Sequence, residues 1–147
     1  MKKKLNIRPV TEQDAESISG LMPVLGYVAT AAAVRSRFWD IPAGSSDYLF
    51  VAELTDEVVG FCHVKGIRRI DSEGYGEILT VVVKADCQRF GVGRSLVQHA
   101  AEWVFKKGFS RVRLGSGVHR VEAHLFYESL GFKKSRPSCV FELHNKK

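Results

Sequence analysis

The residues best suited to chemistry form the run Gln88-Arg89-Phe90-Gly91-Val92-Gly93, which follows a β-rich stretch ending at Val83 and opens an amphipathic one. The first amides of a helix lack intrahelical acceptors and carry partial positive charge, and glycines let an anion reach the backbone, so the turn suits a phosphate. Arg89 and Arg94 add charge. The alternative is a tight turn with no ligand. Two nucleotide motifs fail here. The glycines lack the four-residue gap and following Lys-Ser/Thr of a P-loop, and Leu96 stands where the dinucleotide fingerprint needs its third glycine. ATP and NAD are therefore poor candidates.

The elements that must position this turn are readable from periodicity. Residues 76–83, GEILTVVV, are nearly continuous in apolar and β-branched types, the pattern of a strand covered on both faces and hence central. Beyond the turn, Val92, Leu96, Ala100, Trp103 and Val104 recur at helical spacing up to Gly108, a left-handed C-cap. Upstream, residues 5–10 predict a strand, and Thr11 with Asp14 starts a helix through Leu21 that Pro23 and Gly26 break. Residues 30–39 form a second helix, so the two make a helical insertion. Residues 48–54 and 58–67 flank Thr55, Asp56 and Glu57 as a hairpin. Downstream come a short strand at 110–114, a helix at 119–130 with Ala123, Phe126, Tyr127 and Leu130 on one stripe, and a closing strand at 138–143.

Alternating strands and helices predict an α/β fold. At 147 residues, with no internal repeat, low-complexity tract or long linker, the chain reads as one domain over 1–147. Its 45% hydrophobic and 26% charged residues exclude disordered and collagen-like classes. The formal charge of +6 raises nucleic acid and membrane surfaces, yet five of the 22 basic residues sit at the tips, as Lys2, Lys3, Lys4, Lys146 and Lys147. The 17 that remain nearly balance 16 acidic ones. Such tips read as solvated ends, without the interleaved aromatics of a single-strand binder.

Cys62, Cys87 and Cys139 are odd in number and widely spaced, which fits a reducing cytoplasm. No export signal is expected, because Arg8, Glu12, Asp14 and Glu16 fall where its apolar region belongs, and no stretch predicts a bilayer-spanning helix. No metal is expected either, since His119 and His124, five residues apart, fall on different helix faces. Cys87 and Ser95 lack a local His-acid arrangement and are set aside as nucleophiles.

Gln88-x-x-Gly91-x-Gly93, between a strand and a helix, resembles the acyl-coenzyme A pyrophosphate loop of the GNAT N-acetyltransferase superfamily. The segment Arg120-Val121-Glu122-Ala123-His124-Leu125-Phe126-Tyr127-Glu128-Ser129-Leu130-Gly131-Phe132 is similar to that superfamily's later motif, and Ile7-Arg8-Pro9 with Thr11 and Asp14 to its first strand and helix cap. The resemblance covers nearly the whole chain. One departure is Arg120, where many relatives have Asn.

The resemblance implies a single-domain GNAT-like fold, with a mixed central sheet of about six to seven strands flanked by helices. It implies acetyl transfer from acetyl-CoA, a co-substrate, to a primary amine of a small molecule or protein by direct attack in a ternary complex. The alternative is a non-catalytic acyl-CoA sensor. Cofactor contacts fall on Gln88, Arg89, Phe90, Gly91, Val92, Gly93, Arg94 and Arg120, and on Val81, Val82 and Val83 of a bulged strand whose freed amides face the thioester. Expected partners are the acceptor amine, with no nucleic acid and no membrane, and a homodimer is left open.

An amine of pKa near ~10 is protonated at neutral pH, so a base must remove a proton. Glu77, at the mouth of the central strand, is placed like the catalytic glutamate of the histone acetyltransferase branch; a solvated strand end is the alternative. Tyr127 matches the tyrosine that protonates the leaving thiolate, though it also lies on a buried stripe where tyrosines pack. Arg120 and Tyr127 are two helical turns apart and so could line one extended ligand. The acceptor should depend on the helical insertion, including Tyr27, Arg35, Phe38 and Trp39, and on the loop through Tyr48. His63 either faces that pocket or satisfies a local hydrogen bond.

Overall fold

The structure, a computed structural model, describes residues 4–42, 44–115 and 121–145. Two compact units make up the chain, 1–115 and 116–147. The first holds a five-stranded sheet in the order β1-β2-β3-β4-β5, with β1 at Leu5–Pro9, β2 at Asp47–Leu54, β3 at Glu57–Ile67, β4 at Tyr75–Val83 and β5 at Val112–Leu114. The first four strands pair antiparallel and β5 joins β4 in parallel. A parallel neighbour needs a crossover, supplied by α3, Val92–Lys106. The fold is α/β and GNAT-like, with a mixed sheet flanked by helices.

Five strands form among the described residues, rather than six to seven. The expected closing strand at 138–143 lies outside any strand, with Val140, Phe141 and Leu143 86%, 92% and 97% exposed. Alternating apolar residues supply one face for a strand, but a strand also needs a neighbour to satisfy its backbone, and this segment has none among the described residues. The second unit otherwise contains α4, Val121–Ser129, closed at Gly131 by the Phe132 N–H donating to the Tyr127 carbonyl at 3.1 Å.

One face of the sheet is covered by α1, Ala15–Leu21, and α2, Ala31–Asp40. Their core comprises Ile18, Leu21, Val51, Phe61 and Val82, with Val34, Leu49 and Val58 packed around it. α3 covers the other face with Val92, Leu96, Val97, Ala100 and Val104 buried. It sits close because Gly76 leaves room: a Cβ there would run into the Val104 side chain. The hairpin joining β2 to β3 is tighter than expected. Thr55 and Asp56, at φ 51° and 63°, form its two-residue loop, and Glu57 enters β3.

At the entry to α1, the sequence reading of Thr11 and Asp14 holds with an added partner. The Thr11 N–H donates to Asp14 Oδ2 at 2.8 Å, and Arg8 donates to both Asp14 oxygens at 2.8 Å. Arg8 Nε also donates to Glu53 at 3.0 Å, tying β1, β2 and α1 together. The Arg8 guanidinium holds the Asp14 and Glu53 carboxyls below the usual carboxylate range, against the opposing effect of burial. Carboxylates with depressed folded pKa values stabilise above their unfolded pKa of ~4, and that stability drains as pH falls through the lower folded value. Asp14 is buried and Arg8 is half-buried, so Asp14→Asn should cost about 2–3 kcal/mol at pH 7. Urea unfolding at pH 7 and at pH 3 checks this, and the gap between variant and parent should shrink at the lower pH.

Candidate functional site

β4 is an inner strand only along its first half. It pairs with β5 at Gly76, Glu77 and Ile78, and beyond Ile78 no strand meets that edge among the described residues. The strand read as central is therefore next to the sheet's rim, with β3 in the middle, and its exposed Leu79 marks the change. The pairing of β3 with β4 slips here: His63 is opposite Thr80 and Val64 opposite Ile78, so Leu79 is the extra residue of a bulge.

Past the bulge, the Lys84 N–H donates to the Val59 carbonyl at 2.8 Å. The two-residue alternation of an antiparallel ladder then directs the backbone groups of Val82 toward β3 and those of Val81 and Val83 toward the open edge. Gln88 Nε2 donates to the outward Val83 carbonyl at 3.4 Å, in keeping with that alternation. Of the three valines, only Val81 and Val83 thus present amides to the opening.

The glycine turn closes this edge at its end. Gly91 is the N-cap of α3 at φ 74°, a conformation that side chains with a Cβ resist, and a Cβ there would meet open space. The first intrahelical bond is Ser95 N–H to the Gly91 carbonyl at 3.1 Å, so the amides just ahead of Ser95 have no helical acceptor. Val92 is fully buried and seats the helix on Gly60 of β3, whose partner on β4 is Val83. Packing therefore brings the helix N-terminus beside the open end of β4. Gln88, Arg89, Phe90 and Arg94 are exposed around it, and Gly93 lies in the first turn of α3. The geometry fits a pyrophosphate-bearing ligand: helix-head amides ahead of Ser95 without an intrahelical acceptor, and the guanidiniums of Arg89 and Arg94 close by in the chain.

Glu77 pairs with Lys65 of β3 and Arg113 of β5, and Lys65 with Asp47 of β2, so one row across four strands alternates in sign. The next row on the same face is Leu49, His63 and Thr80. A cavity of about 160 Å3 lies over that second row, roofed by α1 and α2 and lined by His63, Thr80, Leu49, Phe61, Arg35 and Phe38 among others. His63 lines this cavity, and its Nε2 donates to Asp47 Oδ2 at 2.7 Å, which bears out the local hydrogen bond.

Three other residues named for the acceptor lie away from this cavity. Tyr27 and Trp39 are each 65% exposed and do not line it. Tyr48 faces the opposite side of the sheet, where its hydroxyl and His99 Nε2 are hydrogen-bonded at 2.9 Å and its ring stacks on Trp103. Burial there pushes the Tyr48 phenol up and the His99 imidazole down. Sequence reasoning missed Glu12, Arg37 and Thr80 as lining residues; the period of α2 shows which residues share a face but not which face meets the sheet.

Tyr127 lies in α4 of the second unit, half-buried, its ring 5.3 Å from Phe126 and 6.0 Å from Phe132. Arg120 and His119 lie outside the described residues. Cys62 is buried, and burial together with Asp86 pushes the Cys87 thiol up, which leaves little thiolate for nucleophilic work. No group of three metal-ligating side chains occurs among the described residues. None of the described helices is long and apolar enough to cross a membrane.

A strand that opens past a bulge, beside a glycine-headed helix, is the feature around which this α/β fold is arranged. The family model described as "Acetyltransferase (GNAT) family" matches residues 21–132, and the chain belongs to that family. It is 34% identical over 90 residues to "Uncharacterized N-acetyltransferase MJ1207" of Methanocaldococcus jannaschii, a stretch covering 60% of this chain and 40% of that protein. The chain spans less than half the length of the curated relatives it matches. Among solved structures, a transcriptional regulator from Bacillus halodurans C-125 is similar at TM-score 0.85 and 26% identity, over 95% of this chain and all of that one. The aminoglycoside N-acetyltransferase AAC(6')-Iy in complex with CoA shares the fold at TM-score 0.85 and 16% identity, over 99% of this chain and 98% of that one.

Proposed function

We propose that this protein transfers an acetyl group from acetyl-CoA to a primary amine by direct attack in a ternary complex. The observation that carries this reading is the pair of outward amides on β4, Val81 and Val83, beside the Gly91-headed helix and one strand edge away from a cavity lined by Thr80. The amides of the glycine turn, with Arg89 and Arg94, hold the pyrophosphate. Val81 and Val83 donate to the thioester carbonyl oxygen as charge develops on it, the arrangement of an oxyanion hole. Bound there, acetyl-CoA supplies the activated acetyl group. Glu77, on the same sheet face as the cavity's floor, takes the proton the amine must lose, directly or through water. Tyr127, which matches the family's motif, supplies a proton to the leaving sulfur, and Arg120 steadies the pantetheine arm. The three free cysteines suit a reducing cytoplasm.

The structural likeness to a transcriptional regulator keeps a second reading in play, ligand sensing without turnover. One experiment separates them. Acetyl-CoA and CoA at a hundredfold excess over Kd should raise Tm by about 5–10 °C, while NAD and ATP leave it in place. A thiol-release assay over amine acceptors should then show turnover. Binding without release from any amine favours sensing, and no shift with acetyl-CoA overturns both readings.

A further inference from the structure

The cavity beneath α1 and α2 narrows the acceptor, an inference that rests on the acetyl-transfer reading. Its walls are apolar, with Ile18, Val34, Phe38, Ile41, Leu49 and Phe61 prominent. Its volume of about 160 Å3 is close to the ~150 Å3 apolar cavity that admits one benzene ring. That suits one ring or a branched aliphatic group within the cavity, and anything larger would extend beyond its walls.

Charge enters the lining at few positions. Arg35 and Arg37 contribute guanidiniums and Glu12 a carboxylate, and none of the three makes an ion pair among the described residues. The neighbouring carboxylate, Asp47, is already held by His63 at 2.7 Å, with Lys65 at 3.8 Å. Two unengaged cations therefore face one unengaged anion, a balance that attracts a carboxylate and opposes a polycation. An unpaired charge against the apolar walls would be costly, so a ligand's apolar part belongs inside and its anionic end at the guanidiniums.

We propose that the acceptor is a primary amine bearing both a carboxylate and an apolar side chain of about ring size, the composition of an apolar α-amino acid. Arg35 and Arg37 receive the carboxylate, the walls receive the side chain, and the amine lies toward His63 and Thr80, where β4 opens. In the transfer, a nitrogen–carbon bond forms as the thioester carbon–sulfur bond breaks. The amine surrenders one proton and the sulfur leaves with one, giving an N-acetyl amide and free CoA thiol.

The test measures thiol release from acetyl-CoA with phenylalanine, phenethylamine, spermidine and a three-ring aminoglycoside, alongside calorimetry of acetyl-CoA binding. Phenylalanine should exceed phenethylamine in kcat/KM by about tenfold or more, the worth of one or two charge-assisted hydrogen bonds to the carboxylate. Both polycations should be slower still. The Arg35→Gln/Arg37→Gln variant should raise KM for phenylalanine about tenfold and narrow its advantage over phenethylamine. Equal use of phenethylamine, preference for a polycation, an advantage that survives the double substitution, or release from none of the four would each overturn the proposal. Release from none while acetyl-CoA binds removes only this acceptor class, whereas absence of acetyl-CoA binding removes acetyl transfer itself.

Discussion

Glu77→Gln should lower kcat about 100- to 10,000-fold at pH 7, the range over which a positioned general base acts, and leave KM for acetyl-CoA near its parent value. Glutamine keeps the size and hydrogen-bonding capacity of the side chain but accepts no proton. The defect should depend on pH in a definite direction. Below the acceptor's pKa, near ~10 for a simple amine, almost every acceptor carries the extra proton that the base removes. As pH rises toward that value the free amine grows in proportion and needs less help, so variant and parent should converge. Rate profiles from pH 6 to 10 at saturating acetyl-CoA make the comparison. Parent-like turnover across that range would exclude Glu77 from the chemistry and leave water as the base.

Gly91→Val should weaken acetyl-CoA binding by about 100-fold or more while the protein still folds. Valine at φ 74° is strained by about 1–3 kcal/mol, a cost confined to one turn. Its branched side chain would also fill open space at the head of α3, where the ligand is proposed to sit. Displacing a pyrophosphate from two of the amides there forfeits two charge-assisted hydrogen bonds of about 1.5–3 kcal/mol each, which sets the hundredfold floor. Calorimetry with CoA reads the binding, and a melting curve reads the strain separately. Parent-like affinity in a folded variant would move the pyrophosphate off this turn.

Much of the architecture is legible because it follows from local chemistry. Val92, Leu96, Ala100 and Val104 specify one buried helical stripe whatever covers it, and Gly108, at φ 97°, ends the helix where its C-cap is expected. Thr30 caps α2 by accepting from the Ala33 N–H at 3.1 Å, within one residue of the predicted start. The misreadings are of a different kind. GEILTVVV is nearly continuous in apolar and β-branched residues, yet β5 pairs with only Gly76, Glu77 and Ile78. Composition records how much of a strand is buried and is silent on which neighbour stops short. Tyr48 and Leu49 are adjacent, and only the register with β3 sends Leu49 to the cavity and Tyr48 to His99.

By itself, then, the chain's order of residue types determined that strands and helices alternate, that a glycine-headed helix follows an apolar strand, and that Arg8, Thr11 and Asp14 stand where a helix begins. These depend on periods of two and 3.6 residues and on backbone preferences, which act within a few positions of one another. Tertiary structure alone decided that β4 bulges at Leu79, that Val81 and Val83 turn their amides to an open edge, and that His63, Thr80, Arg35 and Phe38 meet around one cavity. Those facts depend on pairing between segments tens of residues apart. A single-residue slip there exchanges the two faces of a strand without altering its local preferences.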